Sequence, residues 1–183
     1  IIPANQPAFH SGNRSLRYGD GLFESLHLMD GEILFFEDHF DRLMEGMKVL
    51  GITKTIDFDS AYFYKHICNL FIANKIQEDV MIRVQVFRTN GGLYEPLSDK
   101  AEFFIELTPV PADSFSWNEN GITAGIFREW EKQMNPAMNY KTSNSLVYVM
   151  AARWKRDMKL DDAVVLNTRG HICDATSSNI FLI

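Results

Sequence analysis

Two stretches decide how this chain reads: Asn139-Tyr140-Lys141-Thr142-Ser143-Asn144-Ser145-Leu146 and, one helix and one hairpin later, Asp174-Ala175-Thr176-Ser177-Ser178-Asn179-Ile180-Phe181. The first sets a lysine on a Pro/Asn-rich loop ahead of a helical pattern. The second sets a carboxylate in a strand ahead of a hydroxyl-rich turn. An amine, a carboxylate and a run of hydroxyls form a chemically coherent set: a nucleophile for an aldehyde, a counter-charge for a protonated ring nitrogen, and donors for a ring's rim or a phosphate. Either stretch alone is a weak signal; together they suit a pyridoxal phosphate site.

Working outward, 22–28 and 33–36 are apolar runs on either side of Asp30-Gly31, and Asp-Gly between such runs signals a β-hairpin. From 37 to 50, Phe40, Leu43, Met44, Met47 and Leu50 recur at three and four, an amphipathic helix ended by Gly51. Asp59 or Ser60 caps a second helix carrying Phe63, Ile67, Leu70 and Phe71 on one face. Residues 80–88 alternate, with Val80, Ile82, Val84 and Val86 on one face and Met81, Arg83, Gln85 and Phe87 on the other, so Arg83 and Gln85 make a candidate pocket wall. After the turn Thr89-Asn90-Gly91-Gly92, 101–108 is a strand ended by Pro109 and Pro111. A strand is expected over 122–128, and a helix over 144–158 with Val147, Met150, Ala151, Trp154 and Met158 inward. A second hairpin follows, 163–167 with 172–174 around Thr168-Arg169-Gly170.

With 46% hydrophobic and 23% charged residues and no repeat, the chain should fold around a packed core. A net charge of -6 without a basic stripe gives nucleic acid or an anionic membrane no footprint, which leaves small molecules as ligands. Cys68 and Cys173 are far apart and lack metal-ligand spacing, so neither a disulfide scaffold nor a metal site is expected, and a reducing, cytoplasmic setting fits best. No apolar run reaches the roughly 18 residues of a membrane span. The last residues, Asn179 to Ile183, read as a strand without a closing element.

On these motifs the chain resembles the fold type IV pyridoxal phosphate enzymes: branched-chain aminotransferases, D-amino acid aminotransferases and 4-amino-4-deoxychorismate lyases. Arg17-Tyr18-Gly19-Asp20-Gly21-Leu22-Phe23-Glu24 is similar to the family's opening motif, and His39-Phe40-Asp41-Arg42-Leu43 to the segment that brings an arginine to the cofactor phosphate. The resemblance implies an α/β (α+β) fold in two domains: 1–110, a linker over 111–120, and over 121–183 the first part of a barrel-like cofactor-binding domain whose remainder is absent. It implies pyridoxal 5'-phosphate as the cofactor, with Lys141 as the Schiff-base lysine and Arg42 on the phosphate. Asp174 falls on the pyridine nitrogen, with Thr176, Ser177 and Ser178 on the ring or phosphate. Tyr18, Phe23, His27 and Arg83 correspond to substrate-pocket positions, and Arg83 is the best candidate for a substrate carboxylate. Asp174 departs from the family's glutamate, which leaves its carboxylate about 1.5 Å short.

The expected activity is amino transfer between an amino acid and a 2-oxo acid, branched-chain-like. The alternative is a lyase that releases 4-aminobenzoate and pyruvate from 4-amino-4-deoxychorismate, because Leu146 stands where branched-chain aminotransferases carry a tyrosine. Phe23 in place of tyrosine, and no arginine or histidine over 89–96, argue against the D-amino acid subclass. A non-catalytic family member acting by association is the third reading. The resemblance also implies a homodimer in which the loop 89–96 reaches toward the neighbouring subunit.

Overall fold

Period-two alternation sorts the first sheet into a buried and an open face. In the computed structural model, which describes all residues except 4, 5, 7, 8, 55–57, 77 and 112–117, the chain divides into two compact units. The first contains Ile1–Ser114 together with Asn139–Asn144, and the second Phe115–Met138 with Ser145–Ile183. Most of the expected linker lies outside the described residues. The lysine-bearing segment 139–144, which by sequence order falls in 121–183, is grouped with the first unit.

The first unit runs α1 (Arg14–Tyr18), β1 (Gly21–Met29), β2 (Glu32–Ile33), α2 (Phe36–Leu50), α3 (Ser60–Asn74), β3 (Val80–Arg88) and β4 (Ala101–Pro109), with an antiparallel sheet ordered β2-β1-β3-β4. Leu22 and Leu26 of β1 face the same way as their partners Val86 and Ile82 of β3, and all four are buried with Phe63 and Ile67 of α3 and Leu43 and Met47 of α2. The Asp30-Gly31 turn forms as expected, both residues at positive φ (50° and 81°) as a two-residue hairpin of this twist requires. Its second strand is only two residues long, because Phe35 takes a left-handed conformation and starts α2. Asp59 caps α3, its side chain accepting the Tyr62 N–H at 2.8 Å.

The second unit contains β5 (Ala124–Lys132), α4 (Leu146–Asp157), β6 (Asp162–Asn167) and β7 (Ile172–Ala175), ordered β5-β6-β7. β5 and β6 are parallel, as a helical crossover demands, and β6 and β7 form the antiparallel hairpin. Phe127, Ala151, Ala163 and Val165 are its core, with Trp154 packed on Phe127 at 5.8 Å between ring centroids. Met158, expected inward, is 58% exposed: α4 ends at Asp157, and Met158 is its C-cap residue. No helix among the described residues is long and apolar enough to cross a membrane.

Two buried arginines share one carboxylate in the first unit. Asp20 Oδ2 accepts from Arg14 Nε at 2.7 Å and from Arg88 Nε at 3.1 Å. Arg14 also donates to the carbonyls of Gly91, Leu93 and Tyr94 (3.0, 2.6 and 3.1 Å), and Arg88 to those of Leu50 and Gly51 and to Asp99. The start of β1, the end of α2 and the loop after β3 are thereby tied together. Asp20→Ala leaves both cations without their common partner and should destabilise the protein by about 3–5 kcal/mol, measured by urea unfolding. A loss under about 1 kcal/mol would show that the backbone carbonyls alone satisfy the two guanidinium groups.

Candidate active site

The position of Lys141 is set by backbone pairing. The Phe23 N–H donates to the Lys141 carbonyl at 2.8 Å, and the Ser143 N–H to the Gly21 carbonyl at 2.8 Å, so 141–143 lies as a short antiparallel bridge on the edge of β1 that β2 leaves open. Gly21 makes this approach possible: a Cβ there would sit 2.7 Å from the Val86 carbonyl oxygen and 3.0 Å from Ser143 Oγ. Buried Gln85 of β3 adds a side-chain tie, its Nε2 donating to Ser143 Oγ at 2.6 Å, with Ser15 Oγ 2.8 Å from the same hydroxyl. The lysine side chain is exposed. Its Nζ stands 5.6 Å from the Phe23 ring centroid and makes no hydrogen bond or ion pair among the described residues.

Phe23, Ser25 and His27 share the open face of β1, opposite Gln85, Arg83 and Met81 of β3. The Arg83 guanidinium lies 3.9 Å from the Phe23 ring centroid and donates to Gln85 Oε1 at 3.0 Å, which also fixes which end of the Gln85 amide faces Ser143. Burial pulls the guanidinium down from its ordinary value, and Glu106 partly offsets this. Arg83 makes no ion pair within 4.0 Å among the described residues. Lys141 and Arg83 therefore flank one aromatic ring. The Tyr18 ring packs 5.5 Å from that of Tyr94 in the loop after β3.

Arg42 belongs to the opposite face. Glu24, 2% exposed in the buried row of Leu22 and Leu26, accepts Arg42 Nε on Oε1 at 2.7 Å and Arg42 Nη2 on Oε2 at 2.5 Å. His39 Nδ1 lies 2.7 Å from Oε2 and must be the donor, because an ionised carboxylate only accepts. Burial pushes the Glu24 carboxyl up, but the bonds from Arg42 and His39 outweigh it and hold the group below its ordinary value. The guanidinium's Nη1 donates to no described residue, so an oriented donor remains for a phosphate oxygen.

In the second unit Asp174 lies on β7 opposite Val165. Lys132 Nζ and Tyr148 Oη both donate to its Oδ2, at 2.5 and 2.6 Å. The hydroxyl turn wraps a different carboxylate: Thr176 Oγ1 donates to buried Asp162, which also accepts the N–H groups of Ala163 (2.7 Å) and Thr176 (3.2 Å). Burial raises the Asp162 carboxyl, but these bonds and one from Ser178 bring it below its ordinary value. As placed, the Thr176 hydroxyl is committed to Asp162, while Ser177 is exposed.

By their chemistry the residues present fit pyridoxal phosphate: the first unit offers an uncommitted amine at Lys141 and a guanidinium with a spare donor at Arg42, and the second an Asp174 Oδ1 that accepts from no described residue. Glu24, Lys132, Tyr148 and Asp162 escape the sequence reading. Glu24 carried a signal, since an acid in the alternating apolar row Leu22-Glu24-Leu26 requires a cationic partner. Lys132 and Tyr148 carried none, because their partner is set by tertiary register.

Since the Glu24 carboxyl is lowered in the folded state, its stabilisation is complete above the ordinary value of 4.5 and is lost as pH falls further. The stability difference between wild type and Glu24→Gln should be about 2–4 kcal/mol at pH 7 and shrink below pH ~4. Denaturant melts at both pH values check this, and a difference independent of pH would overturn the ion-pair account.

Residues 21–183 match the profile of a family described as Amino-transferase class IV. The chain is 29% identical over 177 residues to a putative branched-chain-amino-acid aminotransferase of Methanocaldococcus jannaschii, covering 93% of this chain and 58% of the relative. It is 25% identical over 174 residues to an aminodeoxychorismate lyase of Vibrio harveyi, covering 93% and 61%. Among solved structures, the branched-chain aminotransferase of Thermoproteus uzoniensis with norvaline superposes with a TM-score of 0.80 at 22% identity, over 96% of this chain and 60% of that one. The chain thus spans about three fifths of the length of the relatives it matches. Because the profile runs from the first residue of β1 through both sheets, the chain belongs to the class IV aminotransferases, a family of pyridoxal phosphate-dependent enzymes with the type IV fold.

Proposed function

We propose that the chain is part of an enzyme that transfers an amino group between an amino acid, branched-chain-like, and a 2-oxo acid. The observation that carries this reading is the Lys141 amine, fixed by backbone bonds to β1, uncommitted, and beside the same Phe23 ring as a partly desolvated Arg83. Bound pyridoxal phosphate supplies the aldehyde and the electron-withdrawing ring. Lys141 Nζ would hold the cofactor through its aldehyde carbon and, as a free amine, would take the proton from the substrate α-carbon. Arg83 holds the substrate carboxylate through its remaining donors, and Phe23 keeps the amine and the carboxylate site on one wall. Arg42 Nη1 would hold the phosphate, and Asp174 would supply the counter-charge for the ring nitrogen. The named branched-chain relatives support the substrate class.

The similarity to the Vibrio harveyi lyase, with Leu146 after the lysine, favours a second reading in which the same residues serve an elimination that releases pyruvate. Borohydride reduction of the complete, cofactor-loaded protein should leave the pyridoxyl label on Lys141, and Lys141→Ala should lower kcat about 10²–10⁴-fold. A label on another lysine overturns the assignment. Assays with branched-chain amino acids and with 4-amino-4-deoxychorismate, run side by side, separate transfer from elimination: 2-oxo acid formation supports the first reading, and pyruvate release from the chorismate derivative the second.

The same reading includes a homodimer. The loop after β3, whose carbonyls Arg14 grips, exposes Leu93, Tyr94 and Leu97, an apolar knob that a second copy would cover. Replacing Leu93 and Tyr94 by alanine should raise KM several-fold while the melting temperature stays within a few degrees. Mixing that variant with a Lys141→Ala protein should restore activity in hybrid dimers. A monomer in sedimentation at working concentration rejects the dimer.

A further inference from the structure

The resemblance implies a glutamate where this chain has Asp174, whose side chain is a methylene shorter, and the second unit supplies Asp174 with two partners. Lys132, the last residue of β5, and Tyr148, in the first turn of α4, both donate to Oδ2, and no described residue donates to Oδ1. Both strands are irregular at this point. The β5–β6 register shifts between Phe127 and Lys132, and the β6–β7 register shifts just after the Val165–Asp174 pair. Irregularities of this kind re-aim side chains, here toward one another. The Lys132 ammonium also stands 5.4 Å from the Tyr148 ring centroid, and its backbone carbonyl accepts the Thr168 N–H at 3.2 Å, so backbone and head group are both held.

A short carboxylate on a strand keeps rotational freedom about its Cβ–Cγ bond, and two donors converging on one oxygen remove it. Both donors keep their protons at neutral pH. Burial lowers the Lys132 ammonium, but its bonds with Asp174 and Tyr148 raise it on balance, while burial and then Asp174 push the Tyr148 hydroxyl up to about 12. We propose that Lys132 and Tyr148 are positioning residues that grip Asp174 by Oδ2 and present Oδ1 to the cofactor's ring nitrogen, so that an aspartate serves where the family carries a glutamate. This rests on the reading of Asp174 as the ring nitrogen's partner.

The test is the equilibrium Kd of pyridoxal phosphate for the complete protein, alongside thermal melts of the cofactor-free form. Lys132→Met should weaken binding about tenfold, Lys132→Arg no more than about threefold, and Tyr148→Phe by an intermediate factor. In an Asp174→Ala background Lys132→Met should cause no further loss, because its effect passes through the carboxylate. Equal loss in both backgrounds, or none in the wild-type background, overturns the proposal. Should Lys132→Met fail to fold, the same cycle with Tyr148→Phe, which removes only a hydroxyl, decides it. If Asp174→Ala alone binds the cofactor as tightly as wild type, the reading of Asp174 falls and the proposal with it, a result distinct from a normal Asp174 effect without coupling to Lys132.

Discussion

Two backbone hydrogen bonds, from Phe23 to Lys141 and from Ser143 to Gly21, are the constraint on which the candidate site depends. They lay the lysine segment along a strand edge that would otherwise expose unpaired groups, and they fix which residues the amine meets. An amine on a free loop would sample many positions. Here strand alternation puts Phe23 beneath it and Arg83 beside that ring, and Gln85, bonded to both Arg83 and Ser143, joins the candidate carboxylate-binding arginine to the lysine segment.

Buried charge is handled by sharing. Asp20 serves two arginines, Glu24 serves Arg42 and His39, Asp174 serves Lys132 and Tyr148, and Asp162 gathers a backbone turn and hydroxyls. For buried Glu24 and Asp162 the desolvation of one carboxylate is offset by several donors, which is what a charge removed from water requires, while Asp174 is only half-buried. The arrangement also orients the partners. Glu24 grips one edge of the Arg42 guanidinium and leaves the other, while Asp174 is gripped on one oxygen and leaves the other. The groups assigned to the cofactor are thus held by their non-reacting sides, a form of preorganisation.

The sequence by itself determined the elements. Alternation marked β3 over the span observed, Asp30-Gly31 marked the first hairpin, the three-four spacing from Phe40 to Leu50 marked α2, and Asp59 marked the start of α3. The motifs around Lys141 and Asp174 pointed to the family, because those signals are local and each has a short-range physical cause. Tertiary structure alone decided that 139–144 pairs with β1 and groups with the first unit, that Arg42 is held by Glu24 on the buried face, and that Lys132 and Tyr148 meet on Asp174. Those pairings join residues from 18 to over 100 positions apart, and register shifts set some of them; a side chain's partner at that distance depends on how strands align and not on the residues beside it in sequence.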